Sequence, residues 1–116
     1  MSDELPKAIG LQSVAWDVWS RMQIQKRLAQ HARGIDRADE ALLREAYHAD
    51  VTVDYGSLQG TAGEFASAIA AMHDGAPMSS HRTSNMWVCV RGELAVSESY
   101  VTVSYTHLTL PTKRIV

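Results

Sequence analysis

The amino-acid sequence predicts an α+β domain, and three observations lead there. Apolar residues recur at three- and four-residue steps through much of the first half of the chain, whereas two long segments of the second half alternate residue by residue. The order of segments is helix, helix, strand, helix, strand, strand, which packs helices on one face of a sheet. A length of 116 residues is that of one domain able to bury a single core.

The first helix is expected from Trp16 to Gly34, because Ile24, Leu28, Ala32 and Ile35 form one stripe with His31 beside them. Gly34 reads as its stop, and Asp36 with Asp39 as side-chain caps for a second helix carrying Leu42, Leu43, Ala46 and Tyr47. Val51 to Tyr55 is β-branched and alternating, a short strand, and Gly56 and Gly60 bracket a turn after it. Thr61 and Glu64 have the spacing of a capping box opening a third helix, in which Phe65, Ile69 and Met72 form a buried stripe. The run Asp74-Gly75-Ala76-Pro77 ends that helix. From His81 to Val90 the residues alternate, with His81, Thr83, Asn85, Trp87 and Cys89 on one face. Arg91-Gly92 is the hairpin turn and Leu94 to Val103 the returning strand.

Composition removes several function classes. Hydrophobic residues are 46% and charged residues 21% of the chain, average for a globular domain. The formal net charge of −2 comes without a basic stripe, so nucleic acid is not an expected partner. Cys89 stands alone and no Cys/His metal spacing occurs, so neither a disulfide nor a metal is expected. His48 with Asp50 reads as surface rather than as ligands. The start MSDELPK lacks the features of a signal peptide, no apolar run reaches the roughly 18 residues that span a bilayer, and a cytoplasmic location without membrane contact is the expectation.

The string VSYTHLTLPTKRIV at the C-terminal end resembles the translation of a sequencing-library adapter. On that reading residues 1–103 are the domain, its last strands are missing, and residues 104–116 are a non-native tail. The other reading is a strand from Tyr105 to Leu110 stopped by Pro111. Leaving out Lys113 and Arg114 makes nine basic residues against thirteen acidic ones, a net charge of −4.

Taken in order, Ile24, His31-Ala-Arg-Gly-Ile-Asp36, Leu42-Leu43, Tyr47-His-Ala-Asp50, Asp54-Tyr55-Gly56, Gly60, His81, Gly92-Glu-Leu-Ala95 and Ser99-Tyr100 resemble the SnoaL-like group of the nuclear transport factor 2-like superfamily. The resemblance covers about residues 15 to 103 and implies a cone-shaped α+β barrel, three helices against a curved mixed sheet with a pocket between them. It also implies that Asp36 and His81 correspond to the Asp-His pair of scytalone dehydratase, bile acid 7α-dehydratase and hexachlorocyclohexane dehydrochlorinase, and Tyr55 to a pocket tyrosine of the two dehydratases. His31 stands where those proteins have a lysine or a tyrosine, and Glu98 where one has a second histidine. A homodimer formed through the open sheet face is implied as well.

The chemistry suits these residue types. Imidazole has an unperturbed pKa of about 6.5, so a neutral histidine can take a proton from a carbon beside a carbonyl or leaving group, and a carboxylate on its other ring nitrogen fixes the tautomer. Tyr55 and His31 would donate to the developing oxyanion, and Trp87, Phe65, Ile24 and Leu28 would line an apolar pocket. The expectation is a cofactor-independent lyase or isomerase acting on a small apolar hydroxy or carbonyl compound; the alternative is a small-ligand-binding or assembly subunit without catalysis. From spacing alone Asp36 is equally a helix cap, His81 and His31 hydrogen-bonded structural residues, and Trp87 packing.

Overall fold

The computed structural model describes residues 10–73 and 79–105. The chain is α+β, with helices α1 (Leu11–Asp36), α2 (Glu40–Glu45) and α3 (Ala62–His73), and strands β1 (Thr52–Asp54), β2 (Gln59–Thr61), β3 (Ser79–Arg91) and β4 (Leu94–Tyr105). Three helices with antiparallel strands fit the cone fold expected from the sequence. The Asp74–Pro77 stop, the first nine residues and everything after Tyr105 lie outside the described residues.

Gly34 does not stop the first helix. It is buried inside α1, and a Cβ built on it would lie 3.1 Å from the Cα, Cβ and N of Leu43, so the missing side chain is what lets α2 cross so closely. The helix ends two residues later, and Ala38, with φ of 51°, turns the chain. Asp39 alone then caps α2, its Oδ1 accepting from the Leu42 amide at 3.0 Å, while the Asp36 side chain is engaged elsewhere. The capping box of α3 forms as expected. Thr61 Oγ1 accepts from the Glu64 amide at 3.1 Å, and Glu64 Oε1 accepts from the Thr61 amide at 3.3 Å.

The core is Ile35, Leu43, Val53, Ala62, Phe65 and Ala66, with Tyr47, Val51, Leu58 and Ile69 packed around it. It lies where the end of α1, α2, α3 and β1 meet. Met72, expected in the buried stripe of α3, is 70% exposed, because the last turn of the helix runs beyond the three-residue strands below it.

The strands make two separate two-stranded antiparallel sheets rather than one mixed sheet. Residues 59–61, read as the far side of a turn, form β2 and pair Gln59 with Asp54 and Thr61 with Thr52. The closing bond runs from the Tyr55 amide to the Leu58 carbonyl, and this small hairpin packs on α3 while β3 packs on α1, so the two sheets cover different helices. Strands β3 and β4 are joined through Gly92, whose φ of 59° suits the first position of a two-residue hairpin turn. β4 continues two residues past Val103.

The alternation of β3 is broken once. Ser84 pairs with Tyr100 but Trp87 pairs with Glu98, so one extra residue is accommodated between them, at Asn85 with φ of 53°. A one-residue slip exchanges the faces. His81 and Thr83 therefore share the face that meets α1, and Trp87 and Cys89 lie on the opposite face, not beside His81 as the unbroken alternation predicted.

Candidate active site

Asp36 is the last residue of α1 and His81 the third of β3, and packing of helix on strand brings them together. Asp36 Oδ1 lies 2.5 Å from His81 Nδ1. The same carboxylate accepts the His81 backbone amide, at 2.9 Å on Oδ2, and the Ser79 hydroxyl at 3.0 Å. A carboxylate accepts and does not donate, so Nδ1 carries the proton and Nε2 is left as the basic nitrogen. The two side chains are 21% and 18% exposed, which leaves the ring open to a small molecule. They border a cleft of about 660 Å³ between the end of α1, at Ala29, Ala32, Arg33 and the C-cap residue Arg37, and β3, at Ser79 and Thr83.

A second cluster adjoins the first. The Tyr47 hydroxyl lies 2.5 Å from His31 Nε2, and the Tyr55 hydroxyl comes within 3.5 Å of the same nitrogen. Phe65, at the centre of the core, stacks on Tyr55 at 4.8 Å and lies parallel to His31 at 6.0 Å, with Tyr47 edge-on to both His31 and Phe65. Burial lowers the pKa of His31, and the nearby His81 lowers it further. Burial also pushes the Tyr47 and Tyr55 phenols up, Tyr47 above the usual tyrosine range, with the neighbouring Tyr55 adding to the effect on Tyr47. Near neutral pH the cluster is thus a neutral imidazole facing two protonated phenols.

A family model described as SnoaL-like domain matches residues 16–109. The chain belongs to the SnoaL-like domain family. Neither a curated protein nor a solved structure matches the chain significantly. The SnoaL-like family, part of the nuclear transport factor 2-like superfamily, includes isomerases and dehydratases as well as members without catalysis.

Within this SnoaL-like domain, Asp36 meets His81, and His31 meets Tyr55 and Phe65. Ile24 and Leu28 are half-buried on α1, on the turns preceding His31. Trp87 and Glu98 do not join the others. They face each other across the hairpin, with Asn85 and Tyr100, at an open cleft of about 830 Å³ on the far side of the bulge. The lining of this larger cleft includes no paired acid and base, whereas the smaller one is bordered by the hydrogen-bonded Asp36 and His81. Sequence reasoning missed Tyr47 and Ser79 as site residues. Tyr47 was legible only as an apolar position, and Ser79 only as polar residue two positions before His81, an interval that places both on one strand face. Among the described residues no group of three or more His, Cys, Asp or Glu could hold a metal ion, and no helix is long and apolar enough to cross a membrane.

Proposed function

We propose that this SnoaL-like domain is a cofactor-independent lyase or isomerase that removes a proton beside a carbonyl or hydroxyl-bearing carbon of a small molecule. His81 Nε2 is the general base, and Asp36 holds the tautomer and stabilises the imidazolium as it forms. Tyr55 donates to the oxygen on which charge develops, and Phe65, His31, Ile24 and Leu28 shape the adjoining wall. The single observation that carries the reading is the 2.5 Å contact between Asp36 Oδ1 and His81 Nδ1, which leaves a basic nitrogen facing a cleft. No metal or organic cofactor is called for by this chemistry, and the proposal includes a cytoplasmic protein that binds neither nucleic acid nor membrane. It also includes a homodimer, for which the exposed Trp87, Leu94 and Tyr100 of the hairpin are the surface to be covered; sedimentation of the purified protein checks it.

The test is deuterium exchange. The protein is incubated in D₂O with a panel of small ketones and β-hydroxy ketones, and loss of the α-proton signal is followed by NMR. Exchange that is accelerated by the wild-type chain and abolished in His81→Ala is expected.

One observation favours the second reading, a binding or assembly subunit without catalysis. Asp36 receives three donors from β3, a clamp that fastens the end of α1 to the strand whether or not any reaction occurs. A panel on which wild type and His81→Ala exchange equally slowly selects that reading.

A further inference from the structure

The cleft beside Asp36 and His81 has a charge pattern that the chemistry above does not use. Arg33 and Arg37 stand one turn apart near the end of α1, on the side that faces Ser79 and Thr83 across the opening. Among the described residues Asp36 is the one acidic residue bordering the cleft, and its carboxylate is occupied by His81 and Ser79. Four other arginines are engaged by side chains, Arg21 by Asp17, Arg44 by Glu40, Arg27 by Gln30 and Arg82 by Ser104, while Arg91 beside the hairpin turn, away from this cleft, shows no such partner among the described residues. The guanidinium groups of Arg33 and Arg37 have no such partner among the described residues, although like charges at this spacing repel each other.

A cation in the last turn of a helix is favoured by the helix dipole, and that accounts for a basic residue at position 33. The same dipole favours Arg37, the C-cap residue, but it does not require that both arginines border the opening shared with the histidine. Ala29 and Ala32, by contrast, are short, and they leave the space between the arginines and β3 open.

We propose that this cleft takes a carboxylate-bearing small molecule, with Arg33 and Arg37 holding the carboxylate and presenting the rest of the molecule to His81. Guanidinium is the group best matched to a carboxylate, through paired N–H donors in a planar fork, and two of them supply both charge and orientation. Anchoring the substrate by an unreactive end is also what brings its acidic carbon to a fixed distance from the base. The proposal rests on Asp36 and His81 being the reacting pair, and it narrows the substrate from any small hydroxy or carbonyl compound to a hydroxy or keto acid.

Benzoate and benzyl alcohol share a ring and differ in charge. Each is titrated into the folded wild-type chain, with the ring signals of His81 and the side-chain Nε signals of the arginines followed by NMR. Benzoate should give saturable shifts at His81 and at both arginines, weakening as salt is raised, and benzyl alcohol should bind at least tenfold less tightly. Arg33→Gln and Arg37→Gln, both exposed positions, should each weaken benzoate several-fold and together abolish it. Equal binding of the two probes, no saturable shift with either, or benzoate binding unchanged in the double variant overturns the proposal. The deuterium-exchange test is separate: benzoate bound through the arginines without exchange of any ketone or keto acid supports this anion site while striking the catalytic reading. Exchange that proceeds with charge-blind binding strikes the anion site alone.

Discussion

Asp36 accepts both the ring Nδ1–H and the backbone amide of His81, so one carboxylate fixes the position of the residue and the orientation of its imidazole together. Those are the two things a general base needs from its partner. The arrangement also makes Asp36 structural, and Asp36→Ala should lower stability by about 1.5 to 3 kcal/mol, the range for hydrogen bonds to a charged group. Urea unfolding measures it. Asp36→Asn keeps an acceptor of similar shape but removes the charge, so it should lose less stability while lowering exchange activity by about 10²- to 10⁴-fold. Equal effects of the two substitutions on both quantities would reduce Asp36 to a clamp.

Gly34 sits under Leu43 with little room for a methyl group, its built Cβ meeting the Leu43 Cα, Cβ and N at 3.1 Å, atoms that move only with the backbone. Alanine is the better helix former by about 0.5 to 1 kcal/mol. Overpacking a tight contact, however, is destabilising by about 1 to 3 kcal/mol. Gly34→Ala should therefore come out destabilised by about 1 kcal/mol in urea unfolding, whereas an alanine placed in the exposed part of α1 should be neutral.

Leu43 is the largest fully buried side chain and lies against the same crossing. Truncation to alanine removes its contacts with the core and leaves a void, so Leu43→Ala should lose about 2 to 5 kcal/mol, read from the same denaturant transitions. A loss under 1 kcal/mol would mean that the α1–α2 crossing collapses to fill the space.

These two sites divide what the sequence makes legible from what it does not. The capping box at Thr61 and Glu64, the Phe65 and Ile69 part of the α3 stripe, and the hairpin turning at Gly92 are local devices, and each forms close to where periodicity and spacing place it. Gly34 is ambiguous locally, because a glycine near a helix end reads as a stop, and only the neighbouring α2 reveals it as a contact. β2 carries Gln59-Gly60-Thr61, without alternation, and becomes a strand through its partner β1. The bulge at Asn85 is a single left-handed residue inside a regular pattern, and it alone sends Trp87 to the face away from His81, where Glu98 of the unbroken β4 already lies. Asp36 and His81, 45 residues apart, carry no mark of their pairing beyond the family resemblance.

The phenols of the second cluster should be visible in an alkaline titration. The chain has four tyrosines, and burial raises Tyr47 and Tyr55 above the ordinary value of 10.0. Phenolate absorbance should therefore rise in more than one phase, with Tyr47 ionising last. In Tyr47→Phe the latest phase should vanish. As these groups hold their protons more tightly folded than unfolded, their contribution to stability is present below pH 10 and is lost as pH rises past it.

His31 sets the opposite limit. Its folded pKa lies below the ordinary 6.5, because burial and His81 both disfavour the charged form, so the unfolded chain binds this proton more readily than the folded one. Where the unfolded state takes up more protons, stability rises with pH; the contribution of His31 is thus intact above about pH 6.5 and declines as pH falls from there toward its folded pKa. Denaturant unfolding at intervals from pH 7.5 to pH 5 should show this loss in the wild type. In His31→Gln, which keeps an uncharged hydrogen-bond partner for the Tyr47 hydroxyl, the decline should be smaller by the part that His31 supplies. Curves that run parallel for the two proteins across that window would show that His31 takes up its proton as easily folded as unfolded.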